Sequence, residues 1–217
     1  MKQDTDRVRE HFVRDAQRFD AIYETRKSLR ERFVDSFRGV VVQRFNLAVE
    51  RAGDVKGKAL LDVGCGSGRW PIRFLQEGAA KAVGIDFADS MIALAKQHAA
   101  ELGLSERCEF QCGDFLTWEC DRRFDITTVM GFFDYVADAE PFLRRAASLT
   151  DGLLFASFPV VNDWRVPYRR WKFGRLNCPV YFYTEAQVRA VMERAGIADY
   201  RLERLSRDYF VQATIHP

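Results

Sequence analysis

Leu60-Leu61-Asp62-Val63-Gly64-Cys65-Gly66-Ser67-Gly68-Arg69-Trp70 decides the fold: an apolar run feeds three alternating glycines, and a helix-forming stretch follows at once. Glycine at such a turn permits positive φ and lets a ligand lie against bare backbone. The helix behind it offers N–H groups that have no partner within the helix. Two phosphate-binding readings fail on spacing. A dinucleotide fingerprint G-x-G-x-x-G begun at Gly64 needs a glycine where Arg69 stands, and begun at Gly66 it needs one where Pro71 stands. A bulky arginine at the point of close helix approach favours a ligand without a pyrophosphate. A P-loop is absent as well, because no Gly-Lys-Ser/Thr stands beside a glycine loop.

Outward from this turn, short apolar runs alternate with helical patterns, which is how βαβ units and a parallel sheet read. Strands are expected at 58–63, 81–86, 108–111, 124–130 and 153–158, and helices at 69–77, 90–102, 139–149 and 184–195. Thr184-x-x-Gln187 has the form of a capping box. Two further extended runs, 200–205 and 209–215, are joined by so short a turn that they should pair antiparallel. Before the sheet, Phe33, Phe37, Val40, Val41 and Phe45 recur at helical spacing.

The sequence resembles the class I SAM-dependent methyltransferases, of the small-molecule branch, in order from about residue 58 to 158. The resemblance implies an α/β, three-layer Rossmann-like methyltransferase fold. Its seven-stranded sheet would be mostly parallel, with an antiparallel C-terminal strand and an N-terminal helical cover. It also implies S-adenosyl-L-methionine (SAM) as cofactor. Asp62 matches the acid that enters the glycine turn, with Gly64, Gly66 and Gly68 as the turn itself. Asp86, ending Val83-Gly84-Ile85-Asp86, matches the acid that accepts both ribose hydroxyls. Phe87 and Met91 fall in the following segment, where the residue at Met91 lies near the adenine. Asp114 and Phe115, in Cys112-Gly113-Asp114-Phe115, match the acidic turn that takes the adenine amino group. The run from Phe124 to Asp134, with Met130 and Phe132, matches the fourth strand and the loop beneath the methyl donor. Tyr23, in Phe19-Asp20-Ala21-Ile22-Tyr23, resembles an aromatic of the N-terminal cover. Each residue also has a structural reading: Asp86 as a helix cap, Asp114 as a turn former, and Met91, Phe115 and Tyr23 as core.

Methyl transfer from a sulfonium is an in-line displacement, so alignment and exclusion of water are the main tasks, and a base is needed only for some acceptors. Asp134 and Tyr135, in the loop after the fourth strand, are the catalytic candidates; Asp134 could equally cap the helix leading from Ala139. His98 is expected to be solvated on a helix, His216 lies near the C-terminus, and His11 could approach only if the N-terminal segment is a lid.

The segment 162–175 joins five basic residues and one acid to two Trp, one Tyr and one Phe. Trp164, Arg165, Tyr168, Arg169 and Trp171 are the substrate-binding candidates, a basic aromatic rim suited to a planar or amphipathic anion. The other reading is an amphipathic helix that packs Trp164, Tyr168 and Trp171 inward. Length and element order also resemble the magnesium-protoporphyrin O-methyltransferases.

The 217 residues suit one domain, divided as a helical cap (1–52), a SAM-binding core (53–158), an acceptor-loop insertion (159–183) and a C-terminal helix with a strand pair (184–217). A formal charge of +2 creates no whole-molecule field that would announce a nucleic-acid partner. No stretch approaches the roughly 20 apolar residues that span a bilayer. Five cysteines without a CxxC pair suggest reduced interior thiols, no metal site and a cytoplasmic location. The function expected is therefore methyl transfer to a small anionic or aromatic acceptor, O-methylation before N-methylation, by a monomer or homodimer. The alternatives are an RNA methyltransferase and a SAM-binding regulatory protein without turnover.

Overall fold

A computed structural model describes residues 7–8, 35–176 and 178–216, without the side chains of 35–38, 40 and 41. Tyr23 and His11 lie outside the described residues, as does Phe33. Among those described, seven strands and six helices follow in order: α1 (Asp35–Ala52), β1 (Ala59–Val63), α2 (Arg69–Gln76), β2 (Lys81–Asp86), α3 (Asp89–Glu101), β3 (Cys108–Cys112), β4 (Phe124–Val129), α4 (Glu140–Ser148), β5 (Thr150–Pro159), α5 (Val166–Arg175), α6 (Glu185–Arg194), β6 (Tyr200–Arg204) and β7 (Asp208–Thr214).

The strands form one sheet in the order β3-β2-β1-β4-β5-β7-β6. Neighbours pair in parallel from β3 to β5, and β7 runs antiparallel to both β5 and β6. This is the expected α/β Rossmann-like sheet with its antiparallel C-terminal strand. Alternating residues on each strand serve opposite faces. Leu60, Phe155 and Phe210 join a core with Ala48 of α1, Phe74 of α2 and Ala95 of α3. Leu61, Leu154 and Val211 join another with Leu143 of α4 and Val188 of α6. Both faces are covered, which is why these strands read as continuous apolar runs.

Thr184 caps α6 with the full capping box expected from Thr184-x-x-Gln187. The start of β5 differs from expectation by three residues, because Thr150-Asp151-Gly152 has the composition of a turn. Its hydroxyl is satisfied between sheet and helix: Thr150 Oγ1 donates to the Ala146 carbonyl and can accept from Thr127 Oγ1, both at 2.7 Å. Gly152 leaves room for the Asp125 carbonyl, which a Cβ would meet at 2.5 Å. The functional consequence of the topology is the reversal at β1, which pairs β2 on one side and β4 on the other. The carboxyl ends of β1, β2 and β4 therefore open a crevice, the place where open α/β sheets bind ligands.

Candidate active site

The glycine turn is built on backbone that other residues adopt at a cost: Gly64, Gly66 and Gly68 have φ of 70°, 51° and 77°. Gly64 and Cys65 donate their N–H groups to the Ile85 carbonyl at 2.8 and 3.1 Å, which ties the turn to the end of β2. Asp86 completes the tie. Its Oδ2 accepts from the Gly66 N–H and its Oδ1 from the Ala88 N–H, both at 2.9 Å. Burial raises its pKa above the ordinary carboxylate value, and these N–H donors oppose the rise. A Cβ at Gly64 would collide with the Phe132 ring, and one at Gly68 would meet Phe110 Cζ at 2.6 Å. At Gly66 it would meet nothing within 4 Å, so that backbone faces open space beside Asp86.

Asp62 lies beneath the turn with 1% of its surface exposed. Thr128 Oγ1 donates to its Oδ1 at 2.6 Å, whereas the buried Oδ2 has no protein partner. Burial pushes its pKa up to about 8, the Thr128 hydroxyl working against that shift. A buried acid with an orphan oxygen is expensive unless a ligand or water answers it.

The remaining cofactor candidates divide. Asp114 is exposed after β3, with Oδ1 accepting the Leu116 N–H at 3.0 Å, the turn-forming bond foreseen for it. Met91 is buried beside Ala88 at the start of α3. Phe115 is buried in the core, its ring tilted toward Trp118 at 6.4 Å and lying under the Arg145 guanidinium. Met130 is buried on the α1 side. Phe132 lies on the glycine turn, edge-on to Phe133 and Phe142.

Across the crevice, α5 closes over the ends of β2 and β4. Phe173 and Cys178 form a buried cluster with Val8, against which Phe87, Tyr135 and Val180 pack. Tyr135 meets Phe173 edge to face at 6.1 Å. Arg169 Nη2 donates to Asp134 Oδ1 at 2.6 Å, and its guanidinium lies over the Phe182 ring at 5.1 Å. Arg165 sits at the N-cap of α5, 3.9 Å from Asp163. The inward packing of Trp164, Tyr168 and Trp171 is not what the fold adopts. They are 76%, 57% and 58% exposed, and Val166 and Phe173 are buried instead. Residue 169 shares the inner face with Val166 and Phe173 because Asp134, itself buried, takes a cation from α5.

Sequence reading missed a group beside this pair. Arg44 of α1 donates from Nη1 to Ser157 Oγ at 2.8 Å, and the same oxygen accepts the Gly131 N–H at 2.9 Å. Arg44 Nη1 is also 3.5 Å from Asp208 Oδ2. Burial raises the Asp208 pKa to about 6, with Arg44 opposing that rise. The Nε atoms of Arg44 and Arg169 are buried without a protein partner. No local signal could have found this group, since its members come from α1, β5 and β7.

His98 is not solvated as expected. It is half-buried, with Nδ1 3.0 Å from the Ser67 carbonyl of the glycine turn. His216 is exposed, 3.5 Å from Asp199. Of the five free thiols Cys65, Cys108 and Cys178 are buried, but Cys112 is exposed and Cys120 half-buried. Among the described residues no group of three or more His, Cys, Asp and Glu is gathered around a metal-sized point. No described helix is long and apolar enough to cross a membrane.

Residues 60–151 match the family described as methyltransferase domain. The chain is similar to the ubiquinone biosynthesis O-methyltransferase of Coxiella burnetii, 35% identical over 111 residues that cover 50% of this chain and 47% of that protein. The enzyme of the same name from Nitrobacter winogradskyi is 33% identical over 129 residues, 59% of this chain and 48% of its own. The chain thus spans about half the length of the curated relatives it matches. Among solved structures, magnesium protoporphyrin IX methyltransferase from Synechocystis PCC 6803, with bound SAH, superimposes with a TM-score of 0.78 at 23% identity, covering 97% of this chain and 99% of that one. A cyclase, SpnF, shares the fold too, with a TM-score of 0.64 at 19% identity over 97% of this chain and 96% of its own. The fold alone therefore does not name a reaction.

Proposed function

We propose that this chain, whose residues 60–151 match the family described as methyltransferase domain, is a class I, Rossmann-like methyltransferase that transfers the methyl group of SAM to an oxygen of a small anionic or aromatic acceptor. The observation that carries the reading is the tie between Asp86 and the glycine turn. An acid held by two backbone N–H groups stands at the carboxyl edge of the sheet, beside the open face of Gly66. The residues fit an adenosyl sulfonium. Asp86 would take the ribose hydroxyls; Asp114, Phe87, Met91 and Phe115 would surround the adenine; and Gly64, Gly66 and Gly68 would leave the backbone bare beneath the donor. The orphan oxygen of Asp62 suits the cationic end of the amino-acid moiety, and Arg44, with a free buried Nε, suits its carboxylate. Met130 and Phe132 would complete the apolar walls, and Tyr23, outside the described residues, is proposed as a cofactor contact from the sequence resemblance alone.

SAM supplies an electrophilic methyl carbon and a neutral thioether leaving group. The protein's part is alignment and exclusion of water, which in-line displacement rewards most. Asp134 and Tyr135 stand where an acceptor would enter, with Arg165 and Arg169 as cations for its anionic group. An acceptor carboxylate that takes Arg169 from Asp134 would leave Asp134 available to receive a hydroxyl proton. With this reading go one domain across residues 1–217, a cytoplasmic location and a small molecule as partner; the near-neutral formal charge of +2 speaks against nucleic acid.

Calorimetry with SAM, NAD and ATP tests the donor assignment, and methyl-labelled SAM offered with hydroxylated aromatic acids tests the reaction. Preferential SAM binding with formation of S-adenosylhomocysteine is expected. Binding without turnover would leave a regulatory protein, and labelled RNA as the product would replace the small-molecule acceptor.

A further inference from the structure

Helix α5 turns two different faces to its surroundings. Val166, Arg169 and Phe173 point inward at i, i+3 and i+7, and Arg169 reaches Asp134. Trp164, Tyr168 and Trp171 point outward, and they are three of the five large hydrophobic side chains left exposed among the described residues. They are not scattered. Tyr168 and Trp171 have ring centroids 6.0 Å apart, Arg175 lies 5.3 Å over Trp171, and Arg165 lies 4.5 Å over Trp164. Scattered exposed apolar residues need no account, but a contiguous patch rimmed by charge marks a contact surface.

The charge around the patch has one sign. From residue 164 to residue 184 the chain carries Arg165, Arg169, Arg170, Lys172 and Arg175 and no acid at all. Arg170, Lys172 and Arg175 are exposed. Trp and Tyr, each with an apolar body and a polar handle, favour the boundary between water and lipid. Lys and Arg beside them can lay their stems along apolar surface and lift their charges to headgroup phosphates. We propose that the outer face of α5 docks on the surface of an anionic lipid bilayer, with Trp164, Tyr168 and Trp171 entering the headgroup boundary and Lys172 and Arg175 pairing with phosphates.

Single-stranded nucleic acid could also use arginines and aromatic rings, but it calls for a basic groove that follows a phosphate chain. Here Tyr168 and Trp171 occupy the outer ridge of one exposed helix, Trp164 stands in the turn that leads into it, and the charges flank them. The contact is interfacial, since no described helix can span the membrane. The docking stands independently of methyl transfer. One consequence does rest on that reading: the inner face of the same helix closes the candidate site, so docking would bring acceptors dissolved in the bilayer to it.

The test is sedimentation of the full chain with phosphatidylcholine vesicles, with and without phosphatidylglycerol, together with tryptophan fluorescence. We expect salt-sensitive binding to the anionic vesicles, a blue shift in emission, and at least tenfold weaker binding to phosphatidylcholine alone. Each basic side chain near an anionic surface contributes about 1 kcal/mol, or about fivefold in affinity, so K172E/R175E should weaken binding by more than tenfold. W164A/W171A should do the same by removing the rings, and the melting temperature of each variant reports whether it folds. Three outcomes would overturn the proposal: equal affinity for both vesicles, retention of RNA in place of vesicles, or self-association through this face that the same variants abolish. None of these readouts involves methyl transfer, so a failed docking and a failed activity remain distinct.

Discussion

Asp86→Asn separates the two tasks assigned to this acid. The carboxylate accepts the Gly66 N–H on one oxygen and the Ala88 N–H on the other, each at 2.9 Å. Asparagine keeps the shape but has one acceptor oxygen, so its amide nitrogen must face one of those N–H groups. An N–H left without a partner costs about 1–3 kcal/mol. Against this stands the relief of a carboxylate whose burial opposes its charge. The net change in stability of the ligand-free protein should therefore be small, about 1 kcal/mol. Ligand binding has no such offset. Bonds to a charged acceptor contribute roughly 1.5–3 kcal/mol and neutral ones roughly 0.5–1.5, so two ribose hydroxyls together lose about 2–3 kcal/mol. That corresponds to SAM affinity weakened about 30- to 150-fold. Titration calorimetry gives the affinity, and a thermal melt without ligand gives the stability. An Asn variant that melts like the parent and binds SAM within about threefold of it would refute the role given to Asp86.

Three further outcomes are expected. Gly68→Ala puts a side chain at φ 77° with Phe110 Cζ 2.6 Å and Ala95 Cβ 2.9 Å from the new carbon, so strain and overpacking together should cost about 2–4 kcal/mol in a denaturant melt. The Asp62 pKa is raised to about 8 from 3.8, so the folded state holds this proton more tightly than the unfolded chain. Its contribution to stability is complete below about pH 4 and is lost as the pH rises through about 8. Asp62→Asn keeps the acceptor for Thr128 Oγ1 and cannot ionise, so its advantage in melting temperature over the parent should widen from acidic to mildly basic pH; parallel curves would contradict the buried neutral acid. Arg169→Ala leaves Asp134 without its cation, which should cost about 3 kcal/mol of stability, raise KM for an anionic acceptor and leave calorimetric SAM affinity unchanged.

The glycine turn, the parallel strands from β1 to β4 and the antiparallel end are legible in the chain itself. Glycine stereochemistry, a strand period passing into a helix period, and a capping box each act within about ten residues, so composition carries them. Asp62 is legible for the same reason, since it stands two residues before the turn, whereas Asp86, 20 residues on from Gly66, is legible through the family resemblance. Other features needed the assembled molecule. Thr150-Asp151-Gly152 becomes strand because Thr127 and the Asp125 carbonyl are there to receive it. The rings of α5 face outward because Asp134, buried in the loop after β4, is paired with Arg169 and so turns that side of the helix inward. Arg44, Ser157 and Asp208 converge although Arg44 stands 113 residues from Ser157 along the chain and farther still from Asp208. Burying a charge is costly unless an opposite charge or a donor meets it, and such partners are chosen by proximity in space, which the order of residues does not encode locally.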